Sequence, residues 1–417
     1  MRSRSVALTL FAAVSIILAA CSSAATTAPT AAPTAAPTAA PTAAPTAAPT
    51  AAPTAAPTEA PTAAPTAAPT ARPVPKIGVV TDVGSVNDKN FNEYTYLGAV
   101  NGAAAIGAEK PPVVVPKDAS EYAKLIQDYI DQGFDTIVTI GFNLGADTTA
   151  AAAKNPNVTF IGIDQSPICV DAQGNPDKGP DANTAADCDG KAAEVRPNYI
   201  SLTYQEDQAG YLAGMVAATI TKNNVIGAIG GINLCGPCIR YIQGYEMGAK
   251  SINPDIKVVT SWVASGFDFV KAFYDPVAGK NFGQQFIKQN KPDVLFQVAG
   301  KTGNGVLDAA CEAGIYGIGV DVDQALSYPN AAKCTVTSAE KKLAMSVEKT
   351  IKDLYAGTAK PGDNLWNAAN FGIGYAPFHE FESSLYTPEL KAALQSAIFA
   401  MEAGTLKTCP DNCGKLE

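Results

Sequence analysis

The sequence KIGVVTDVGSVNDKNFN (residues 76–92) contains a pattern that recurs along the rest of the chain. Its apolar run, residues 77–80, is too short for a helix and has enough β-branched side chains for a buried parallel strand. Asp82, Asn90 and Asn92 follow around Phe91, before a helical pattern. Because ligands bind outside the carboxyl ends of strands in open α/β sheets, we expect a small-molecule site here. Asp and Asn also cap helices and form turns, so a purely structural role stays open.

The first 21 residues have the features of a bacterial export signal. Arg2 and Arg4 give a positive start, and residues 6–18 form an apolar run that is too short to span a membrane. The segment ends in LAAC, which resembles a lipobox and would make Cys21 the lipid-bearing first residue of the mature protein. We therefore expect a signal peptide over 1–21 and an extracytoplasmic lipoprotein anchored to the cell membrane. A plain secreted protein with a coincidental cysteine is the alternative.

Residues 22–73 consist almost entirely of AAPT repeats. Such a segment has no large apolar side chains to bury, so it cannot offset the entropy of ordering. Regularly spaced proline favours extended polyproline II. We expect a disordered stalk that ends where the folded domain, residues 74–417, begins.

Composition excludes several functions for the folded domain. The chain has a formal net charge of −9, and no basic stripe is present to meet phosphate backbones, so we expect no nucleic-acid partner. His379 is the only histidine, and the sequence contains no HExxH motif and no pair of CxxC motifs at zinc-binding spacing. We expect no metal, no cofactor and no catalytic triad.

Short β-branched runs alternate with helical patterns through this domain. Strands are predicted at 77–80, 113–115, 136–140, 159–163, 199–202, 225–229, 257–260, 294–298 and 317–320. Helices are predicted at about 92–106, 119–132, 144–154, 206–222, 239–251, 277–289, 304–313 and 339–356. Strands separated by helices form right-handed βαβ units and parallel sheets, so the pattern predicts an α/β fold in two series joined near residues 197–204.

The second series repeats the polar pattern of the first. The strand at 294–298 leads into a glycine-rich segment, residues 300–305, which is expected to open a helix at about Val306. The strand at 317–320 leads into Asp321 and Asp323. Both series thus have acidic residues at the carboxyl ends of strands, and two lobes facing each other would bring these edges together across a cleft.

Eight cysteines remain besides Cys21, an even number that suggests disulfides in an exported protein. Proximity in sequence suggests the pairs Cys169–Cys188, Cys235–Cys238, Cys311–Cys334 and Cys409–Cys413. The second pair forms CGPC, the thioredoxin redox motif, but no thioredoxin-sized unit surrounds it. A redox role and a structural role both stay open.

Seven separate segments resemble the basic membrane protein family, the lipoprotein substrate-binding subunits of ABC importers. These segments are TDVGSVNDKNFN (81–92), GGINLCGPCIRYIQGYEMGAKSINPDIKV (230–258), AFYDPVAGK (272–280), GKTGNGVLDAA (300–310), IGVDVDQ (318–324), TSAEKKL (337–343) and APFHEFESSLYTPEL (376–390). The resemblance implies a type I periplasmic-binding-protein fold, in which two Rossmann-like lobes enclose a ligand. Lobe 1 is expected at about 76–200 plus returning segments at about 325–417, and lobe 2 at about 201–324.

The resemblance also implies which residues hold a nucleoside base. Asp82 and Asn90 or Asn92 belong to the first polar segment, and Phe91 is expected to be one of two rings that stack on the base. Phe273 is expected to be the second ring.

The segment before Phe273 is lengthened relative to the family, so Phe267 or Trp262 could stack instead. On the ribose side, the resemblance implies a glycine contact from Gly300, a carboxylate from Asp321 and a cation from Lys341. Asp164, which follows the strand at 159–163, is a further candidate.

The function implied by the resemblance is a receptor and not an enzyme. It would bind a purine nucleoside and deliver it to the permease subunits of an ABC importer. The same fold binding a sugar or another small solute is one alternative. An exported thiol-disulfide oxidoreductase that uses Cys235 and Cys238 is an alternative of a different class.

Overall fold

The computed structural model describes residues 73–82, 84–168 and 196–416. The predicted signal peptide with Cys21, residues 22–72 of the predicted stalk, and the cysteines Cys169 and Cys188 lie outside the described residues. Within the described ranges, no helix is both long enough and apolar enough to cross a membrane.

Two six-stranded sheets form the framework of the fold. The first contains β1 (Ile77–Thr81), β2 (Val113–Val114), β3 (Thr136–Ile140), β4 (Thr159–Ile163), β5 (Tyr199–Tyr204) and β11 (Gly362–Trp366). The second contains β6 (Val225–Ile232), β7 (Lys257–Ala264), β8 (Val294–Val298), β9 (Tyr316–Asp321), β10 (Thr335–Lys341) and β12 (Ile373–Tyr375).

Eleven α-helices connect and cover these strands in the described part of the chain. They are α1 (Phe91–Ala105), α2 (Tyr122–Asp131), α3 (Gly145–Lys154), α4 (Glu206–Ile220), α5 (Gly236–Ile252), α6 (Phe269–Phe273), α7 (Pro276–Asn290), α8 (Gly300–Glu312), α9 (Gln324–Ser327), α10 (Leu343–Ala356) and α11 (Pro388–Glu402).

The two sheets have the same strand order. Five strands of the first run β2-β1-β3-β4-β5 and five of the second run β7-β6-β8-β9-β10, which is the doubly wound order of a Rossmann-like lobe. Strands β1, β3 and β8 are buried along their whole length, as parallel strands are when helices cover both faces. Only the pair β10–β12 is antiparallel among the described strands. The predicted α/β architecture is confirmed.

All nine predicted strands are present, and those at 136–140, 159–163 and 294–298 have the predicted bounds. Three strands, β10, β11 and β12, escaped prediction. Strand β10 reads TVTSAEK and is entirely buried. Its mostly polar sequence lacks the apolar run by which the other core strands were predicted. The helix predicted from 339 therefore begins only at Leu343.

Two other expectations need correction. Helix α8 begins at Gly300 and not near Val306, because Gly305 serves close helix packing: a Cβ there would lie 1.8 Å from the carbonyl oxygen of Pro276. The chain after residue 325 does not all return to the first lobe. Strand β11 joins the first sheet, whereas β10 pairs in parallel with β9 and takes β12 with it into the second. The outer limits of the lobes stay a prediction.

Helices α4 and α5 touch through their backbones. Gly210 and Gly214 on α4 face Gly244 and Gly248 on α5, each pair at the i, i+4 spacing of one helix face. A Cβ atom added at any of the four would lie 1.9–2.1 Å from a carbonyl oxygen of the other helix. Only glycine permits this approach, which fixes the segment joining the two sheets.

We expect Gly214→Ala to lower the free energy of unfolding by about 1–3 kcal/mol, because the new methyl group forces the helices apart. Chemical denaturation measures the change. Gly145→Ala is the matched control, since its Cβ would lie 3.8 Å from Gln165, an ordinary contact. Equal stabilities for the two variants would contradict the close helix contact.

Candidate functional site

A cavity lies where the carboxyl ends of the two sheets meet. The first lobe contributes Asp82 after β1 and Asp164 after β4 to its lining, and the second contributes Gly300 after β8, Asp321 from β9 and Lys341 from β10. Parallel strands end at one edge of a sheet, so residues far apart in sequence meet there. The structure thus brings together these five predicted site residues.

Both acidic residues at the back of the cavity have left-handed backbone. Asp164 has φ 57° and Asp321 has φ 64°, and each stands at the end of the fourth strand of its lobe. Aspartate is one of the few residues other than glycine that adopts this conformation readily. The matching turns aim one carboxylate from each lobe at the same point.

That point is the ammonium group of Lys341, whose side chain is only 2% exposed. Its Nζ lies 2.5 Å from Asp164 Oδ2, 3.1 Å from Glu206 Oε1 and 4.0 Å from Asp321 Oδ1. The rings of Phe91, Tyr204 and Tyr241 surround the same atom, with centroids 5.2–5.7 Å away. One cation thus binds carboxylates from both lobes inside an aromatic cage.

A second cation extends this network away from the cavity. Arg240 Nε donates to Glu206 Oε2 at 2.6 Å, and Glu206 is fully buried between Arg240 and Lys341. Burial raises the pKa of Glu206, but the two cations outweigh this effect and the pKa is lowered overall. Glu206 is therefore charged, and it lies between the two cations that it pairs with.

Burial dominates the remaining carboxylates. It raises the pKa of Asp164 to about 6 and that of Asp321 to about 6, against the opposing charge of Lys341. Burial lowers the pKa of Lys341, yet the three neighbouring carboxylates more than compensate and raise it overall. The ammonium group of Lys341 therefore stays charged among the carboxylates.

Aromatic rings from both lobes also line the cavity. Phe91 begins α1 in the first lobe, and Phe273 ends α6 in the second. The ring of Phe142 meets that of Phe273 edge to face, with centroids 6.4 Å apart. Of the predicted alternatives to Phe273, Phe267 is 80% exposed and Trp262 packs against Gly230, and neither lines the cavity.

The amides predicted beside Phe91 lie behind the cavity wall. Asn92 is buried and donates from Nδ2 to the hydroxyl of Tyr274 at 2.7 Å. Asn90 is fully buried, and within the described ranges its side-chain atoms have no hydrogen-bond partner. Asp88 accepts backbone N–H bonds from Asn90, Asn92 and Glu93, so it shapes the loop that presents Phe91.

The CGPC segment forms part of the wall. Cys235 and Cys238 are buried at the start of α5, with their sulfur atoms 2.02 Å apart, and both line the cavity. The sulfur atoms of two other predicted pairs also lie within bonding distance, Cys311 with Cys334 and Cys409 with Cys413.

Sequence reasoning missed five residues of the site: Phe142, Glu206, Arg240, Tyr241 and Tyr274. Phe142 follows β3 and Glu206 follows β5, so applying the strand-end rule to every strand would have found these two. Tyr241 and Arg240 lie inside α5, and no local pattern marks them.

A two-lobed α/β fold with a polar and aromatic cleft between its strand ends is the architecture of a solute-binding protein. The sequence model of the family "ABC transporter substrate-binding protein PnrA-like" matches residues 76–396. The chain belongs to this family, and the resemblance drawn from the sequence is confirmed. The family consists of substrate-binding proteins and not of enzymes.

Two relatives are similar over most of the folded domain. The "ABC transporter nucleoside-binding protein BmpA" of Lactococcus lactis is 29% identical over 60% of this chain and 64% of its own length. "Basic membrane protein A" of Borreliella burgdorferi is 30% identical over 62% of this chain and 66% of its own length. The alignments thus span slightly less than two thirds of either relative.

Solved structures support the fold. An ABC transporter solute-binding protein from Aeropyrum pernix has a TM-score of 0.66 at 20% identity, covering 80% of this chain and 93% of that one. A solute-binding protein from Conexibacter woesei has a TM-score of 0.58 at 20% identity, covering 79% and 97%. The predicted two-lobed binding-protein fold is confirmed.

We expect the free energy of unfolding to fall as pH rises from about 4 to about 7. Burial raises the pKa of Asp82 from 3.8 to about 7, so the folded state holds a proton that the unfolded state releases in this range. In Asp82→Asn the free energy of unfolding should decrease less over this pH range. The difference from wild type is at most about 1.4 kcal/mol for each unit by which the pKa of Asp82 differs between the folded and unfolded states. Denaturant titrations at several pH values measure the effect.

The exposed Asp255→Asn serves as the control and should leave the wild-type profile unchanged. A profile for Asp82→Asn that runs parallel to wild type would contradict the raised pKa of this carboxyl group.

Proposed function

We propose that this protein is a lipid-anchored solute receptor of an ABC importer, and that it binds purine nucleosides in the cleft between its lobes. The observation that carries the proposal is the combination, in one cavity, of one phenylalanine from each lobe with a caged lysine and two aspartates. The family and the name of the Lactococcus lactis relative, a nucleoside-binding protein, agree with it.

Phe91 and Phe273 fit the flat base of a nucleoside. They come from opposite lobes, so closure of the lobes brings both rings to one ligand. Stacking of a base on an aromatic ring is worth roughly 1–3 kcal/mol and tolerates any base. Selectivity for purines must therefore come from polar groups at the edge of the base, and Asp82 is the candidate for this role, because it lines the cavity together with Phe91 and Phe273.

Lys341 and Asp321 fit the ribose. A carboxylate that accepts both ribose hydroxyl groups makes charge-assisted hydrogen bonds, which are stronger than neutral ones. Asp321 is also held by the hydroxyl of Tyr241 at 3.2 Å and balanced by Lys341, so its orientation is set before a ligand arrives. Asp164 is neutralised by the same lysine and completes the polar side of the cavity.

The receptor is anchored to the membrane through lipid, and a stalk carries its folded domain. The LAAC motif supports lipid attachment at Cys21, and the repeats after it support a stalk between membrane and domain. Ligand-induced closure would create the surface that the permease recognises, because a ligand shifts the equilibrium toward the state that binds it better. The close sulfur pairs support disulfides at Cys235–Cys238, Cys311–Cys334 and Cys409–Cys413.

The alternative ligand class is a sugar or another small solute. Asp321 and Lys341 would suit a sugar as well as a ribose, but a second aromatic wall favours a ligand with a flat ring. The thiol-disulfide alternative is not retained, because the family to which the chain belongs consists of substrate-binding proteins.

Calorimetric titration of residues 73–417 with adenosine, guanosine, inosine, cytidine, uridine and ribose tests the ligand, after unfolding and refolding to remove any carried solute. We expect the purine nucleosides to bind most tightly. Phe91→Ala should weaken binding about five- to 150-fold, the equivalent of roughly 1–3 kcal/mol of stacking. Asp321→Asn should weaken the binding of nucleosides and of ribose to a similar extent.

Phe267→Ala is the matched control, because this ring is 80% exposed and lies outside the cavity lining, and its affinities should equal those of wild type. If no nucleoside binds, or if Phe91→Ala binds as wild type does, the proposed ligand is wrong. Mass spectrometry of the solute that copurifies would then identify the ligand class.

A further inference from the structure

Tyr274 bridges the two lobes at the carboxylate proposed to read the base. It belongs to the second lobe, between α6 and α7, and its hydroxyl group donates to Asp82 Oδ1 of the first lobe at 2.8 Å. The hydroxyl oxygen of Tyr274 in turn accepts from Asn92 Nδ2 at 2.7 Å. Since Asn92 supplies a proton to the phenol oxygen, the phenol's own proton is directed to Asp82.

The other oxygen of Asp82 is confined as well. A Cβ atom added to Gly141, whose φ is 108°, would lie 2.2 Å from Asp82 Oδ2, so only glycine leaves room for the carboxylate. One oxygen is thus held by a hydrogen bond from the second lobe, and the other is packed against the backbone after β3. These two contacts together determine the plane of the carboxylate in this structure.

The space for the Tyr274 ring is prepared by a second glycine. Gly84 has φ 141°, and a Cβ there would lie 1.5 Å from the ring. The backbone on the tyrosine side is clamped too: Asp275 N donates to Thr302 Oγ1 at 2.8 Å, and Thr302 Oγ1 donates to the carbonyl oxygen of Lys271 at 3.0 Å. The turn that carries Phe273 and Tyr274 is therefore fixed to α8.

We propose that Tyr274 is a positioning residue that orients Asp82 for the base and couples this orientation to closure of the lobes. The inference rests on the proposed function and extends it. One short turn delivers the stacking ring of Phe273 and the hydroxyl group of Tyr274 together, so Asp82 acquires its final orientation at the moment when the base is enclosed. Asp82 lines the cavity, so its oriented carboxylate is the group placed to accept from a donor on the base.

Asn304 and Ser327 of the second lobe also make hydrogen bonds to the first lobe, and neither bond touches Asp82. Asn304 Nδ2 donates to the carbonyl oxygen of Asp88 at 3.1 Å, and Ser327 Oγ donates to the carbonyl oxygen of Lys89 at 2.8 Å. Ser327→Ala is therefore a suitable control, because it removes a hydrogen bond between the lobes and leaves the contacts of the Asp82 carboxylate unchanged.

The test is a double-mutant cycle on the full chain, with wild type, Tyr274→Phe, Asp82→Asn and the double variant. Phenylalanine keeps the ring against Gly84 and removes only the hydroxyl group. We expect Tyr274→Phe to weaken purine nucleoside binding about tenfold to a hundredfold in the wild-type background, as for a hydrogen bond to a charged group, and to have no effect in the Asp82→Asn background. Ser327→Ala should weaken binding less than Tyr274→Phe does.

A spectroscopic measurement needs no ligand. The infrared band of the Asp82 carboxylate, obtained by subtracting the spectrum of Asp82→Asn at about pH 9, where this group is ionised, should shift in Tyr274→Phe and not in Ser327→Ala. An unshifted band, or the same loss of affinity in both backgrounds of the cycle, overturns the inference. If wild type binds no nucleoside, the proposed ligand fails separately, and the infrared band still decides whether Tyr274 orients Asp82.

Discussion

The buried ammonium group of Lys341 is the interaction on which the arrangement of the cleft depends. It stands at the end of β10 in the second lobe, yet it lies 2.5 Å from Asp164 of the first lobe and 3.1 Å from Glu206 at the start of the connecting helix α4. Removing one member of such a network leaves uncompensated charge in a dry interior, which is far more costly than the network is stabilising. The ion pairs therefore fix relative position more than they add stability.

Two kinds of constraint bring Lys341 and the carboxylates of both lobes together. Parallel sheets bring the carboxyl ends of their strands to one edge, so each lobe delivers an aspartate in left-handed backbone to the centre of the cleft. Glycines then allow backbones to touch where a side chain would hold them apart, between α4 and α5 and beneath Asp82. The cleft is polar because of the first constraint and has sharply defined walls because of the second.

Most of the framework was predictable from local pattern, and the exceptions have physical causes. The nine predicted strands were recognisable by their apolar, β-branched runs. Strand β10, TVTSAEK, has no such run, because several of its residues are small and polar and are buried through hydrogen bonds. Gly300 was expected in a loop before a helix but begins α8 itself. Glycine in sequence marks either a turn or a close contact, and only the neighbouring helix distinguishes them.

The residues of the candidate site also fall into those that the sequence predicted and those that it did not. Asp82, Phe91, Asp164 and Asp321 could be selected from the sequence because each is linked to the end of a strand, and Phe273, Gly300 and Lys341 because their segments resemble a known family. Tyr241 and Arg240 lie inside helix α5, where no sequence motif distinguishes them from other helical residues. Asn90 was predicted as a site residue from its polar neighbours, but it is buried behind the cavity wall.

The amino-acid sequence by itself determined the two α/β lobes, the class of binding protein and the chemical types of several groups that line the cleft, because strand and helix periodicity and short motifs are local properties. The tertiary structure alone decided which groups meet: that Lys341 joins carboxylates of both lobes, that Glu206 and Arg240 support it, and that Tyr274 holds Asp82. Hydrogen bonds and ion pairs act over a few ångströms between residues that are far apart in the sequence, 177 positions for Lys341 and Asp164 and 192 for Tyr274 and Asp82, and no pattern along the chain records which residues meet.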